Sequence, residues 1–338
     1  MRRVPHAGAR ALGLTIVGLL ALACARPALH AQQVPDSAFV PPVPRPAWAP
    51  GAGPVLCLDE GHHNFHTLDA RFLAFGRLAA RDGLAVRPLR AAFTAAALAP
   101  CRLLVIANAQ PSDAPWERYP VPTPSAFTAG EIAAVHAWVA GGGALLLLAD
   151  HQPLAGAAAA LGAAFGFAFT NGFAVPRFTT AAGRDSAIAA PTLFRPGDGT
   201  LAAHPVVAGR DAAERVTLVR SFTGQAFRAT AADAEPLLRL PADYVSLEPR
   251  VPWQFPDTLA QRPVGGWLQG ATRTVGRGRV AVFGEAALFS AQVQGPARRP
   301  MGMNAPQAEQ NAQFVLNVLH WLAGVLPGGS GRAVPGGP

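Results

Sequence analysis

The chain has 338 residues, of which 50% are hydrophobic and only 14% are charged, and this composition excludes an intrinsically disordered protein. Its formal net charge is +8, every positive side chain is an arginine, and half of that excess lies in the first 31 residues. Because neither a basic run nor a nucleic-acid motif accompanies this charge, we expect no nucleic-acid partner.

The beginning of the chain has the pattern of a secretory signal. Three arginines precede an apolar run over residues 11–23, which is too short for a permanent membrane span. Cleavage after Ala31 gives a signal peptide over residues 1–31. A lipobox ending at Cys24 instead gives a signal over residues 1–23 and a lipid anchor on that cysteine. The leader predicts an extracytoplasmic protein and leaves a periplasmic, secreted or membrane-anchored form open.

The next segment is unusually rich in proline. Residues 32–53 contain six prolines, a density that favours extended polyproline II, so we predict a semi-rigid spacer. We place a single α/β domain over residues 54–326 and a disordered Gly/Pro-rich tail over residues 327–338. Cys57 and Cys101 fall in predicted strands that look out of register, so we expect two buried small hydrophobic residues.

Four apolar runs predict buried parallel strands, because strands that are covered on both faces lack polar alternation. They span residues 54–58, 103–107, 144–149 and 280–283, and residues 85–89 form a weaker fifth.

Helical patterns fall between these strands. One begins at a capping box of Thr128 and Glu131, and another lies near the end of the domain, around Phe314 to Leu322. The alternation predicts a doubly wound, mostly parallel sheet. Residues 173–263 lack this rhythm and predict an irregular α+β insertion before the last core strand.

Polar residues follow the predicted strands at the edge where open parallel sheets bind ligands. The catalytic candidates are Glu60, Asp150, His151 and Glu285, with Glu60 or Glu285 as general base. The candidate ligands of a divalent metal, zinc or similar, are Asp59, His62, His63, Asp150 and His151. Imidazole and carboxylate groups suit such metals, and an open coordination position activates water.

Each of these side chains alone has a simpler interpretation as a local cap or hydrogen-bond partner, and their spacing matches neither HExxH nor CxxC. The cluster as a whole favours a site, because polar strand ends that face one crevice need a shared partner. No Gly-x-Ser-x-Gly elbow, Walker motif or dinucleotide fingerprint is present, which argues against a serine hydrolase, an NTPase and an NAD enzyme.

Four motifs occur in an order that resembles a known superfamily. They are Leu-Asp-Glu-Gly-His-His-Asn at 58–64, Gly-Gly-Gly-Ala-Leu-Leu-Leu-Leu-Ala-Asp-His at 141–151, the turn at 204–209 and the hairpin at 276–280. The chain is similar to the class I glutamine amidotransferase-like, flavodoxin-like superfamily, in a bacterial branch near the trehalose-utilisation-type proteins. The resemblance implies a flavodoxin-like sheet. It implies no glutaminase activity, because the Gly-x-Cys-x-Gly nucleophile elbow is missing.

We expect an extracytoplasmic, metal-assisted hydrolase that acts on a small polar or carbohydrate-like substrate at the carboxyl edge of the sheet. The alternative is a non-catalytic envelope protein or lipoprotein that binds a glycan or peptide in the same crevice. A third interpretation is a structural envelope lipoprotein whose polar cluster only organises loops. We expect no cofactor besides the metal, and the sequence leaves the substrate and the oligomeric state open.

Overall fold

A nine-stranded sheet runs through the centre of the molecule, and apolar layers cover both of its faces. The computed structural model describes residue 1 and residues 33–328. The predicted signal peptide, the Cys24 lipidation site and the predicted tail beyond residue 328 lie outside the described residues. No helix in the described part of the chain is long and apolar enough to cross a membrane.

Residues 33–328 contain seventeen strands, seven α-helices and four short 3-10 helices. The strands are β1 (Val34–Pro35), β2 (Val55–Asp59), β3 (Ala85–Leu89), β4 (Leu103–Ala107), β5 (Ala144–Leu148), β6 (Phe167–Phe169), β7 (Phe173–Pro176), β8 (Thr192–Phe194), β9 (Val219–Ser221), β10 (Phe227–Ala229), β11 (Glu235–Arg239), β12 (Tyr244–Leu247), β13 (Gln261–Pro263), β14 (Leu268–Val275), β15 (Gly278–Phe283), β16 (Ala291–Gln294) and β17 (Arg299–Gly302). The α-helices are α1 (Leu73–Arg81), α2 (Ala95–Leu98), α3 (Ala129–Ala140), α4 (Leu154–Ala164), α5 (Ala181–Ala189), α6 (Pro205–Ala208) and α7 (Asn311–Ala323). The 3-10 helices are Trp116–Arg118, Pro196–Asp198, Ala212–Glu214 and Ala287–Phe289.

Five parallel strands form one side of the central sheet, in the order β3, β2, β4, β5, β15. Counted along the chain this is the order 2-1-3-4-5, which is typical of flavodoxin-like folds. Strands β14, β10, β6 and β11 continue the sheet with antiparallel pairing. The predicted fold class, a flavodoxin-like doubly wound α/β sheet with an irregular insertion, is therefore confirmed.

The central strand β4 shows why these runs form strands. Leu103 and Val105 face the layer that includes α1 and α7, whereas Leu104 and Ile106 face the layer that includes α3 and α4. All four side chains are completely buried. Burying a side chain of this size contributes about 1.5–3 kcal/mol. Apolar residues are therefore favoured at every position of the strand, and polar groups are left to its ends.

The irregular insertion carries a small sheet of its own. Strands β7, β12 and β13 pair antiparallel. They enclose a separate apolar cluster of Phe173, Val175, Ala187, Val245 and Leu247. The long loop after β12 carries Trp253 and returns towards the carboxyl ends of the central strands, where its ring contacts His151. The insertion thus supplies one wall of the region beyond the sheet.

Residues 33–53 pack on the domain, which corrects the prediction of a spacer between residues 32 and 53. Strand β1 pairs with β16, and the backbone N–H of Trp48 donates to the carbonyl of Asp82. The Trp48 ring contacts the imidazole of His320, and His320 Nε2 lies 2.8 Å from Asp82 Oδ2. Proline density predicted an extended backbone, but the partly buried tryptophan keeps that backbone on the surface of the domain.

Cys57 and Cys101 form a disulfide, with 5.7 Å between their Cα atoms, so the prediction of two separate thiols is wrong. Cys101 precedes β4 and lies in the turn that closes α2, where its N–H donates to the Leu98 carbonyl. Because Cys101 lies outside the strand, the register between β2 and β4 does not determine the distance between the two cysteines. Disulfides persist in oxidising compartments, which is consistent with the extracytoplasmic location that the leader predicts.

Replacing both cysteines (C57A/C101A) should lower the free energy of unfolding by about 2–4 kcal/mol, because the bond constrains the unfolded chain across a sequence separation of 44 residues. Urea unfolding without reductant measures the difference. Reductant should bring the midpoint of the wild type to that of the double variant and leave the variant unchanged. Equal midpoints without reductant would contradict the disulfide.

Candidate functional site

Four strand ends place polar side chains along the carboxyl edge of the parallel sheet. Asp59 ends β2, Asn108 follows β4, Asp150 follows β5 and Glu285 follows β15. All four are buried. The side chains predicted from the sequence fall into three neighbourhoods along this edge, around His62, around His63 and around His151.

His62 lies between two carboxylates. Its Nδ1 is 2.8 Å from Asp59 Oδ1, and its Nε2 is 2.9 Å from Glu131 Oε1. The ring also packs between Phe93 and Phe127, with ring centroids 4.4 and 4.9 Å apart. These contacts join the end of β2 to the first turn of α3 and leave neither nitrogen of His62 free.

The two carboxylates favour the protonated form of His62. Burial lowers the pKa of His62, but the hydrogen bonds and charges of Asp59 and Glu131 outweigh burial and raise that pKa above its usual value. Burial also raises the pKa of Glu131, yet hydrogen bonds from His62, Thr128 and Phe93 bring it down to about 2. The ring bridges two carboxylates, and its contacts are those of a structural tie.

A cavity of about 520 Å³ opens beyond the carboxyl ends of β2 and β4. The polar side chains in its lining include Glu60, His63, Asn64, Arg71, Arg90, Gln110 and Asp113. His63 Nδ1 lies 2.8 Å from Asp113 Oδ1, and both side chains are exposed. Gln110 donates to the His63 carbonyl at 2.7 Å and accepts from Trp116 Nε1 at 2.6 Å. This cavity holds two of the predicted side chains, His63 and Glu60.

Glu60, a predicted general base, already has partners for both of its carboxylate oxygens. Oε1 accepts from the N–H of Leu68 at 2.9 Å, and Oε2 accepts from Arg90 Nη2 at 2.8 Å. The carboxylate therefore anchors the loop after β2.

Asp150 and Glu285 lie side by side. Strands β5 and β15 are parallel neighbours in which Leu148 pairs with Phe283. Asp150 follows Leu148 by two residues, and Glu285 follows Phe283 by two residues, so the two acids lie at the same level of the sheet. Burial raises the pKa of Asp150, and burial followed by the charge of Asp150 raises the pKa of Glu285 well above its usual value. Two adjacent buried carboxylates repel each other when both are charged, so the pair favours a state in which one of them retains a proton.

His151 lies in an aromatic enclosure beside this pair. Its ring stacks on Phe173 at 4.5 Å and contacts Trp253 at 4.7 Å and Trp116 at 5.8 Å between centroids. Nδ1 lies 2.8 Å from the carbonyl oxygen of Gln152. Because a carbonyl only accepts, Nδ1 carries the hydrogen, and in the neutral ring Nε2 is left as a proton acceptor.

Trp116 connects the cavity to the His151 enclosure, because it also contacts Phe65 in the cavity lining, 5.1 Å away between centroids. Sequence reasoning missed Trp116, Gln110 and Arg71, and it used Glu131 only as a helix cap. Trp116 and Gln110 lie in the long loop between β4 and α3. A loop of that length with little regular structure is itself typical of a binding region, and this signal was available in the sequence.

The predicted metal ligands are not assembled as one set. Asp59 and His62 bond to each other, whereas His63 pairs with a different carboxylate. Asp150 and His151 belong to another strand end. In residues 33–328, no group of three or more His, Cys, Asp or Glu side chains could hold a metal ion. Binding of zinc or a similar divalent metal stays a prediction.

The sheet order defines a flavodoxin-like α/β fold. The chain is similar to several solved structures at low sequence identity. The mmIFT52 N-terminal domain is 14% identical with a TM-score of 0.51, over 79% of this chain and 96% of that domain. A ThuA-like protein from Bacteroides uniformis ATCC 8492 is 12% identical with a TM-score of 0.45, over 83% of this chain and 95% of that one. A GMP synthase protein from Thermoplasma acidophilum is 8% identical with a TM-score of 0.38, over 81% of this chain and 96% of that one.

At these identities the similarity concerns the fold alone. The structural neighbours include ThuA-like proteins, the group that the sequence resembles, and a GMP synthase protein. No protein-family model matches the chain, and no curated protein matches it.

Replacing His62 by glutamine should lower the free energy of unfolding by about 1–3 kcal/mol near pH 6, because buried Asp59 loses its charged partner. The pKa of His62 is raised in the folded state. Its contribution is therefore complete below its unfolded pKa of about 6.5 and is lost as the pH rises through the higher folded pKa.

Urea unfolding of the wild type and H62Q at several pH values between 5 and 9 measures this effect. The difference between the two proteins should shrink towards high pH. The exposed neighbour serves as control, and H63Q should change stability little across the range. A difference between wild type and H62Q that does not vary with pH would contradict the charged bridge.

Proposed function

We propose that this chain is an extracytoplasmic protein that binds a small polar, carbohydrate-like molecule in the cavity at the carboxyl edge of the sheet. The observation that carries the proposal is the cavity, whose volume of about 520 Å³ matches ordinary ligand sites. Open parallel sheets bind ligands at this edge. The leader pattern and the disulfide support the extracytoplasmic location.

The chemistry of the lining supports a sugar-like ligand. Phe65 lies in the lining, and Trp116 packs against it outside the lining, with 5.1 Å between the ring centroids. This aromatic wall suits the C–H groups of a sugar. His63, Asn64 and Gln110 add imidazole and amide groups beside that wall, which suit hydroxyl groups. Gln110 bonds both the His63 backbone and the Trp116 indole, so the wall and the polar groups are held together before a ligand arrives.

Replacing Trp116 or Gln110 by alanine should weaken binding about tenfold or more, because each removes part of the wall or its support. Isothermal titration of the wild type with glucose, galactose, cellobiose and lactose identifies a bound probe, and the variants are then titrated with it. Arg118, exposed in the same 3-10 helix as Trp116, is the control, and R118A should bind like the wild type. Absence of binding by the wild type, or unchanged affinity in W116A and Q110A, would contradict the proposal.

A hydrolase that acts on the same ligand is the second candidate, and the environment of His151 favours it. His151 follows Asp150 in the chain, and the bond between its Nδ1 and the Gln152 carbonyl leaves Nε2 as a proton acceptor in the neutral ring. Water that attacks a substrate bond would transfer its proton to Nε2. In the metal-assisted form of this hypothesis, a divalent ion would activate the same water, and that form stays a prediction.

Replacing His151 by glutamine should lower turnover by about 10²–10⁴-fold, because the proton acceptor is lost. Release of nitrophenol from 4-nitrophenyl glycosides and of acetate from acetylated sugars measures turnover. His136 in α3, which stacks on Phe165, is the control, and H136Q should keep full activity. A chelator abolishes turnover only in the metal-assisted form. Wild-type turnover equal to that of buffer would leave the chain a binding protein.

A further inference from the structure

The charges in the cavity are not all matched. Glu60 is paired with Arg90, with 2.8 Å between Oε2 and Nη2. Asp113 is paired with His63, with 2.8 Å between Oδ1 and Nδ1. Both carboxylates in the lining therefore already have a positively charged or hydrogen-bonding partner. The remaining charged side chain in the lining is Arg71.

Arg71 has no acidic partner in the part of the chain that the structure describes. Its guanidinium lies over the ring of Phe65, 3.7 Å from the centroid, and Nη1 donates to the Phe65 carbonyl at 3.2 Å. Its Nε is buried and has no hydrogen-bond acceptor. The fold thus holds a cation at the wall of the cavity with a stacking partner and one neutral acceptor.

The surroundings of Arg71 make this charge costly. Burial lowers the pKa of the Arg71 guanidinium, and no nearby carboxylate counteracts that effect. Burial, followed by the charge of Arg71, lowers the pKa of His66 well below its usual value, so this neighbouring imidazole is neutral. A partly buried cation without a counter-ion is unfavourable unless an anion from a bound ligand pairs with it. The positive charge of Arg71 therefore lacks a counter-ion in the cavity.

We propose that the ligand of this cavity is an acidic saccharide and that Arg71 binds its carboxylate. This inference rests on the proposed binding function and names the ligand class. A guanidinium presents its N–H groups as a planar fork that matches a carboxylate, so it selects an acid over the neutral sugar of the same shape. Stacking on Phe65 and the bond to the Phe65 carbonyl hold the fork in position.

Matched sugars that differ only at C6 test this proposal. Isothermal titration of the full chain with galacturonate and galactose, and with glucuronate and glucose, compares a carboxylate with a hydroxymethyl group. The wild type should bind each acid about tenfold or more tightly than its neutral partner. Raising the salt concentration from about 50 to about 300 mM should reduce that ratio, since ions screen the interaction.

The variant R71Q should bind galacturonate and galactose with about equal affinity, because the acid preference of the wild type is lost. R71K keeps the charge without the fork and should fall between wild type and R71Q. The control is R81Q, which removes an exposed arginine at the end of α1 and should keep the acid preference. Circular dichroism and thermal unfolding confirm that each variant is folded.

The outcomes separate the two proposals. Equal affinity of the wild type for acid and neutral sugar, or an acid preference that survives in R71Q, overturns the role of Arg71 and leaves the binding function intact. No binding of either sugar overturns the binding function itself. Tighter binding of galactose 6-sulfate than of galacturonate, lost in R71Q, would overturn the assignment of a carboxylate and identify a sulfate ester as the recognised anion.

Discussion

Apolar side chains cover both faces of the parallel strands β2, β4, β5 and β15, and this burial decides where the polar groups of the domain can lie. A polar side chain inside either layer would lose water without gaining a partner, at a cost of about 1–3 kcal/mol. The strands therefore carry their polar residues at the ends, as Asp59, Asp150 and Glu285 show. The carboxyl edge is consequently both the place where loops must satisfy buried groups and the place where a ligand can reach them.

The polar groups at this edge differ in how completely the fold satisfies them. His62 has a carboxylate at each nitrogen, and Glu60 has a donor at each oxygen, so both act first as structural ties. Asp150 and Glu285 disfavour each other's charge. Arg71 is the contrasting case, because its surroundings are aromatic and neutral. A group that the fold leaves unmatched indicates a ligand more clearly than a dense cluster whose members bond to one another.

Patterns that span a few residues predicted the architecture well. The apolar runs became β2, β4, β5 and β15, and the capping box of Thr128 and Glu131 begins α3 as expected. Predictions that required distances between remote segments were less secure. The proline-rich segment packs on the domain through Trp48, and Cys57 bonds to Cys101 because the turn after α2 brings them together. Neither contact leaves a periodic signature along the chain.

The sequence by itself determined which segments form strands and helices and that acids and histidines stand where the strands end, since these features depend on neighbouring residues. Only the tertiary structure decided which of those side chains meet. Glu131, 69 positions after His62, forms the hydrogen bond to the second nitrogen of that ring, and Trp116 contacts both the cavity lining and His151. Strand order and the paths of long loops determine such partners, because they bring residues from distant parts of the chain within hydrogen-bonding distance.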